Sequence, residues 1–288
     1  MDISERRACK TISQPRTTQR YQLKEPDRDR ALTEQIKLLA NKHKRYGYRM
    51  ITSKLRQSGW IVNHKRIQRI WQKEGLQVHY RSKYKKAKGT SANSCVVKKA
   101  EYINHIWTYD FMSDQTEDGR PLKLLTILDE FTRESPAIEV GRSIRAKDVI
   151  SVLDYLFMLR GAPRFIRSDN GPEFIAKAIK RWLKKNHVET LYIEPGSPWE
   201  NGYIESFNGK LRDDILDREL FYSVKEAKVI VEKWRLEYNN ERPHSSLGYR
   251  TPAEFAAGCI ASAPACSGPA PAQYIEQNVY NSLIECGT

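Results

Sequence analysis

Three carboxylates stand where chemistry could be done: Asp110, Asp169 and Glu205. Asp110 sits inside His105-Ile-Trp-Thr-Tyr-Asp-Phe-Met112, a run apolar on both faces, as expected of a strand in the middle of a covered sheet. A carboxylate buried there needs hydrogen bonds or a metal ion. Asp169 closes the strand in Arg164-Phe-Ile-Arg-Ser-Asp-Asn-Gly-Pro-Glu-Phe174, which turns at Asn170-Gly171, and strand ends of this kind collect ligands and catalytic groups. Glu205 belongs to Ser197-Pro-Trp-Glu-Asn-Gly-Tyr-Ile-Glu-Ser-Phe-Asn-Gly-Lys-Leu-Arg212, a loop running into a helix. Each acid alone also fits a plainer role: a strand-end cap, a turn aspartate, a solvated helix face.

The elements around these acids decide whether they can meet. In the Glu205 helix Ile204, Phe207, Leu211 and Ile215 recur at helical spacing and form the buried stripe. Glu205, Asn208 and Arg212 form a polar stripe at its edge. Pro195, Gly196 and Pro198 break regular structure just upstream. Before them the pattern predicts strands over 105–112, 122–131 and 136–140 and a helix through Val149, Val152, Leu153, Leu156 and Leu159 ending at Gly161. The strand from Arg164 with Asp169 at its end, a helix carrying Ile175, Ile179, Trp182 and Leu183, and a strand over 188–193 follow. Ser223-Val-Lys-Glu226 is a capping box opening a helix with Ala227, Ile230, Val231, Trp234 and Tyr238 on its core face. Residues 257–288 are rich in Ala, Pro and Ser without sustained periodicity and are expected to form a weakly ordered tail.

Charge is segregated along the 288 residues. Residues 1–106 hold 26 Lys+Arg against 8 Asp+Glu, leaving 23 against 27 for the remainder. A basic front joined to a near-neutral, carboxylate-bearing back suggests polyanion binding coupled to a separate activity. Helices are expected over 29–43, 49–57 and 64–74, the last capped by Asn63 and ended by Gly75. Ile67, Ile70 and Trp71 make its core stripe, while Lys65, Arg69 and Gln72, with Arg66 beside them, form a basic outer face. That is the pattern of a helix-turn-helix unit whose last helix enters the major groove. Lys83, Lys85 and Lys86 lie in a basic linker suited to tracking phosphates. The five cysteines form no metal-ligand spacing with the histidines, and no apolar run is long enough to span a bilayer, so a cytoplasmic protein without zinc is expected.

Trp107-Thr-Tyr-Asp110, Ser168-Asp-Asn-Gly-Pro-Glu-Phe174 and the block from Ser197 to Arg212, with 35 residues between Asp169 and Glu205, resemble the Asp, Asp, 35, Glu core of retroviral-integrase-like transposases. More narrowly, the chain is similar to second-reading-frame products of bacterial insertion sequences of the IS-three family. The resemblance runs from about Arg6 to Ala257, and Tyr238 to Pro252 shares it.

It implies an α/β fold, a ribonuclease-H-like (integrase) catalytic core preceded by an all-α helix-turn-helix module. The implied division is a partial helical segment at 1–24, the helix-turn-helix at 25–78, the linker at 79–104, the core at 105–222, a helical closure at 223–256 and the tail. The implied activity is binding of terminal inverted repeats, 3′-end cleavage and strand transfer with two Mg²⁺ ions, for which Mn²⁺ substitutes. Asp110, Asp169 and Glu205 are the implied catalytic metal ligands, with Glu200 the second choice for the third. Asn208, Lys210 and Arg212 are implied to hold the scissile phosphate or a neighbouring base, and Trp199 and Asn201 the DNA end. Implied partners are double-stranded DNA of the element ends and target, further copies of the chain on those ends, and an upstream-reading-frame product, separate or fused by frameshift. A DNA-binding regulator with an inactive core, and a stand-alone ribonuclease-H-like nuclease, are the alternatives. His244 is expected to be packed or to contact DNA, because metal ions already do a base's work.

Overall fold

The computed structural model describes residues 4–21, 27–77, 98–168, 173–192 and 201–262, and the chain divides into two units, 1–82 and 83–288. Asp169, Trp199, Glu200 and the linker lysines Lys83, Lys85 and Lys86 lie outside the described residues.

The first unit is helical: α1 (Glu5–Thr11), α2 (Arg16–Gln19), α3 (Asp27–Lys42), α4 (Tyr48–Gln57) and α5 (His64–Lys73). Leu32, Ile36, Ile51, Leu55, Ile67 and Trp71 close a common core. The Asn63 side chain accepts from the Lys65 backbone N–H at 2.9 Å, which satisfies one orphan donor at the start of α5. Gly75 follows the helix with φ at +64°, a left-handed turn that suits glycine. Lys65, Arg69 and Gln72 are exposed. Arg66 is not part of that open face, because its guanidinium pairs with Asp29 of α3.

The second unit is a five-stranded sheet of order β3-β2-β1-β4-β5. The strands are β1 (Ile106–Gln115), β2 (Pro121–Asp129), β3 (Ala137–Gly141), β4 (Phe165–Ser168) and β5 (Glu189–Tyr192). β1, β2 and β3 pair antiparallel, while β4 joins β1 and β5 joins β4 in parallel. This meander extended by two crossover strands is the ribonuclease-H-like arrangement.

Side chains alternate across β1, so its two faces meet different helices. Trp107 and Tyr109 pack with Leu125 and Ile127 of β2 against α6 (Ala146–Arg160) and α7 (Glu173–Lys185). Met112, Leu124 and Leu128 pack against α8 (Gly202–Leu211) and α9 (Val224–Asn240). Asp110 has the parity of Met112 and therefore faces α8. Ser223 caps α9 by accepting from Glu226 N–H at 3.1 Å, and the Glu226 carboxylate accepts from Tyr222 N–H at 2.7 Å.

Two expectations need correction. α8 runs directly into a π-helical turn over Arg212–Leu216, whose wider winding advances the chain by one position. The buried residue is consequently Leu216, and Ile215, the fourth member of the proposed stripe, is only partly covered. Also, α10 (Pro252–Ser262) continues through residues assigned by composition to the tail, since its alanines favour helix more than any other residue does.

A candidate carboxylate site at the junction of a strand and a helix

Two polar contacts fix α8 on β1. The Thr108 hydroxyl donates to Asn201 Oδ1 at 3.2 Å, and two residues along the strand Asp110 Oδ2 accepts from Asn208 Nδ2 at 2.8 Å. The other Asp110 oxygen accepts from the Phe111 backbone N–H at 2.8 Å. Asn208 lies one helical turn beyond Glu205, so Glu205 projects from the edge of α8 that meets Asp110. Glu205 is exposed and makes no hydrogen bond or ion pair with any described residue.

Of the residues singled out in the sequence, the structure brings Asp110 and Asn208 into contact, and Glu205 lies one helical turn before Asn208 on the same helix. β4, described through Ser168, lies beside β1 with Arg167 opposite Thr108. Asn201, expected to reach DNA from a loop, is instead buried at the start of α8 and tied to Thr108. Asn208, expected to touch phosphate or base, is buried and committed to Asp110, while its Oδ1 has no partner among the described residues. Arg212 stays at the exposed edge, donating to the Ser113 carbonyl at 3.3 Å. Lys210 does not share that edge: its ammonium lies 5.9 Å above the Tyr238 ring, on the α9 side of the helix.

The donors gathered here are oxygens: the Asp110 and Glu205 carboxylates and the uncommitted Asn208 carbonyl. Such a set suits a hard divalent cation such as Mg²⁺ and not a thiophilic one. Among the described residues no group of three acids, histidines or cysteines completes a metal site.

Behind the site lies a buried network that local sequence did not disclose. The Asp129 carboxylate accepts from the backbone N–H groups of Asn104 (2.9 Å), Phe131 (2.7 Å) and Thr132 (3.2 Å), closing the turn after β2. Burial raises its pKa, and those backbone donors oppose the rise. Glu130 pairs with Arg167 of β4 at 3.0 Å, both nearly inaccessible, and Arg167 also donates to the Lys98 carbonyl at 2.8 Å. Burial pushes Glu130 up to about 7 even though Arg167 pulls it down. Glu134, which reads as a loop acid, is buried and pairs with Arg160 at 3.2 Å. No helix among the described residues is long and apolar enough to cross a membrane.

Residues 101–198 and 186–252 match two integrase core domain families, and residues 26–84 match an HTH-like domain. The chain is 37% identical to a 31.7 kDa protein of insertion element IS407 from Burkholderia multivorans, across 92% of this chain and 95% of that protein. It is 27% identical to the transposase for insertion sequence element IS904 from Lactococcus lactis, across 78% and 92% of the two chains. Among solved structures it is similar to the HTLV-2 integrase catalytic core domain in complex with magnesium, with a TM-score of 0.43, 19% identity, and coverage of 54% of this chain and 97% of that one.

Proposed function

This chain belongs to the integrase-core proteins of bacterial insertion elements, and from that membership we propose that it is the transposase that cuts and joins the ends of such an element. The family's general chemistry is polynucleotidyl transfer, and the HTH-like module supplies DNA binding. The observation that supports the reading is the Asn208–Asp110 hydrogen bond, because it seats the helix that carries Glu205 against the strand that carries Asp110.

Asp110, Asp169 and Glu205 are proposed to hold two Mg²⁺ ions, with Mn²⁺ as substitute. When bound, these ions lower the pKa of water or a 3′-hydroxyl and neutralise the leaving oxygen. The protein's own part is positional. Asn208 and the Phe111 N–H hold the Asp110 carboxylate with both oxygens occupied by donors, fixing its orientation before any ligand arrives. Arg212 stands at the exposed edge of the same helix stripe, where a phosphate approaching Glu205 passes it. The α5 face is proposed to read the terminal repeats. Trp199 and the linker lysines Lys83, Lys85 and Lys86 remain proposed DNA contacts. Pairing of copies on two DNA ends, an upstream-reading-frame partner and a cytoplasmic location belong to the same proposal.

The test is strand transfer on a labelled duplex carrying the element's end. Joined product is expected with Mg²⁺ or Mn²⁺ and none with EDTA, while duplex binding persists in EDTA. Tight binding without joining in either metal would favour the regulator instead. For the module, replacing Lys65 and Arg69 together by Ala is expected to weaken duplex binding about tenfold or more and to flatten its salt dependence. Both side chains are exposed, so the melting temperature should not move. Unchanged binding in a gel-shift titration would remove α5 from the interface.

A further inference from the structure

A second cluster of charge lies on the other side of α8, and the proposed function makes no use of it. Lys210 follows Glu205 by five positions, about 140° around the helix, and turns toward α9. Its ammonium lies over the Tyr238 ring, which His244 meets edge-on at 4.8 Å between centroids. Arg242 approaches from the segment after α9, and Arg133 from the β2–β3 turn, where its guanidinium lies 3.6 Å over the Tyr203 ring.

Asp214 supplies a carboxylate here. Arg242 pairs with Asp214, whose Oδ2 also accepts from Trp234 Nε1 at 3.2 Å. Lys210 has no hydrogen bond or ion pair with any described residue, although most of its side chain is out of solvent. Burial and the two arginines push its pKa down to about 8. His244 is 6% exposed, its Nε2 has no hydrogen-bond partner among the described residues, and burial beside the same cations pushes its pKa down to about 3. Lys210, Arg242 and Arg133 all act electrostatically on this imidazole, and Asp214 is the carboxylate paired with Arg242.

A sequestered ammonium with no ion-pair partner among the described residues is costly, and a methionine of similar length would avoid the cost. Such an arrangement makes sense where an anion completes it. We propose that Lys210, Arg242, Arg133 and the His244 Nε2 form a phosphate site, behind the carboxylate face, that takes a backbone phosphate of bound DNA. The proposal rests on the DNA-processing reading above. It assigns to α8 two separate contacts with nucleic acid, one on each side of the helix.

The experiment compares wild type with Lys210→Met in the full chain, without metal. Duplex affinity is expected to fall three- to tenfold near 0.1 M salt. The slope of log K against log salt should become shallower by about 0.9, the value of one lost phosphate contact. The variant should melt no lower than wild type, since the lysine is there for a ligand and not for packing. Equal affinity and slope in the two proteins would overturn the proposal. So would a thermal shift of wild type by inorganic phosphate that Lys210→Met abolishes without any change in DNA slope, because the site would then serve free phosphate. If the variant does not fold, reductive methylation of wild-type Lys210, followed by mass spectrometry, decides: duplex must slow it, and an unchanged rate overturns the site. Failure of strand joining in wild type would sink the transposase reading while leaving this comparison intact.

Discussion

Glu205→Gln is expected to lower strand joining by at least three orders of magnitude, about 4 kcal/mol of transition-state stabilisation, while duplex affinity stays within about twofold. The substitution keeps the shape of the side chain and removes its charge, so a carboxylate needed to hold a hard cation is lost without disturbing the helix. Glu205 is well suited to the test because it is exposed and unengaged by any described residue, so the cost in stability should fall within about 0.5 kcal/mol. Asp110→Asn is less clean, since it would face the Asn208 amide with a second amide and disturb the contact that seats α8. Substantial joining by Glu205→Gln in a single-turnover assay would exclude this residue from the metal site. The carboxylate completing the site would then have to be sought in the segment just before α8.

The second large effect concerns stability and carries a pH signature. Arg167→Met removes the cation from a pair that is almost wholly inaccessible, leaving Glu130 buried beside Asp129. Breaking one side of such a pair costs about 3–5 kcal/mol, and that is the expected loss near pH 8. The sign of the pH dependence follows from Glu130. Its folded pKa, raised to about 7, exceeds its ordinary value of 4.5, so the folded state binds the proton more tightly than the unfolded state. Its contribution to stability is full below the ordinary value and is lost as pH rises through about 7. Without Arg167 the pKa climbs further, so the variant should keep losing stability above pH 7, where this group's contribution in wild type has levelled off. Urea unfolding at pH 5 and pH 8 checks this: the deficit of the variant should be clearly smaller at pH 5. An equal deficit at both values would show that Glu130 escapes to solvent when Arg167 is gone.

Local signals were legible where a residue acts on its neighbours. Asn63 and Ser223 announced their helices because a cap bonds to backbone two or three residues away. Ile204, Phe207 and Leu211 were readable as core because helical period alone places them on one face. The doubly apolar run around Asp110 marked a central strand for the same kind of reason. What stayed hidden depends on partners distant in sequence. Asn208 looks like a surface amide until β1 is laid beside it, ninety-eight positions away, and Asn201 becomes buried only through Thr108. Glu134 is an ordinary loop acid until Arg160 arrives from the end of α6. The π-helical turn that exchanges Ile215 for Leu216 has no signature in hydrophobic spacing, because the period itself changes there.

The two ties between α8 and β1 also set how this protein can vary in length. Thr108 and Asp110 are two residues apart on an extended strand, about 6.6 Å, while Asn201 and Asn208 are seven apart on a helix, about 10.5 Å. Side-chain reach absorbs the difference only for that one pairing of spacings. Deleting or adding a residue between 201 and 208 would rotate one amide by about 100° away from its strand partner, and with it Glu205 relative to Asp110. A single-residue change inside the first two turns of α8 should therefore abolish the strand–helix junction.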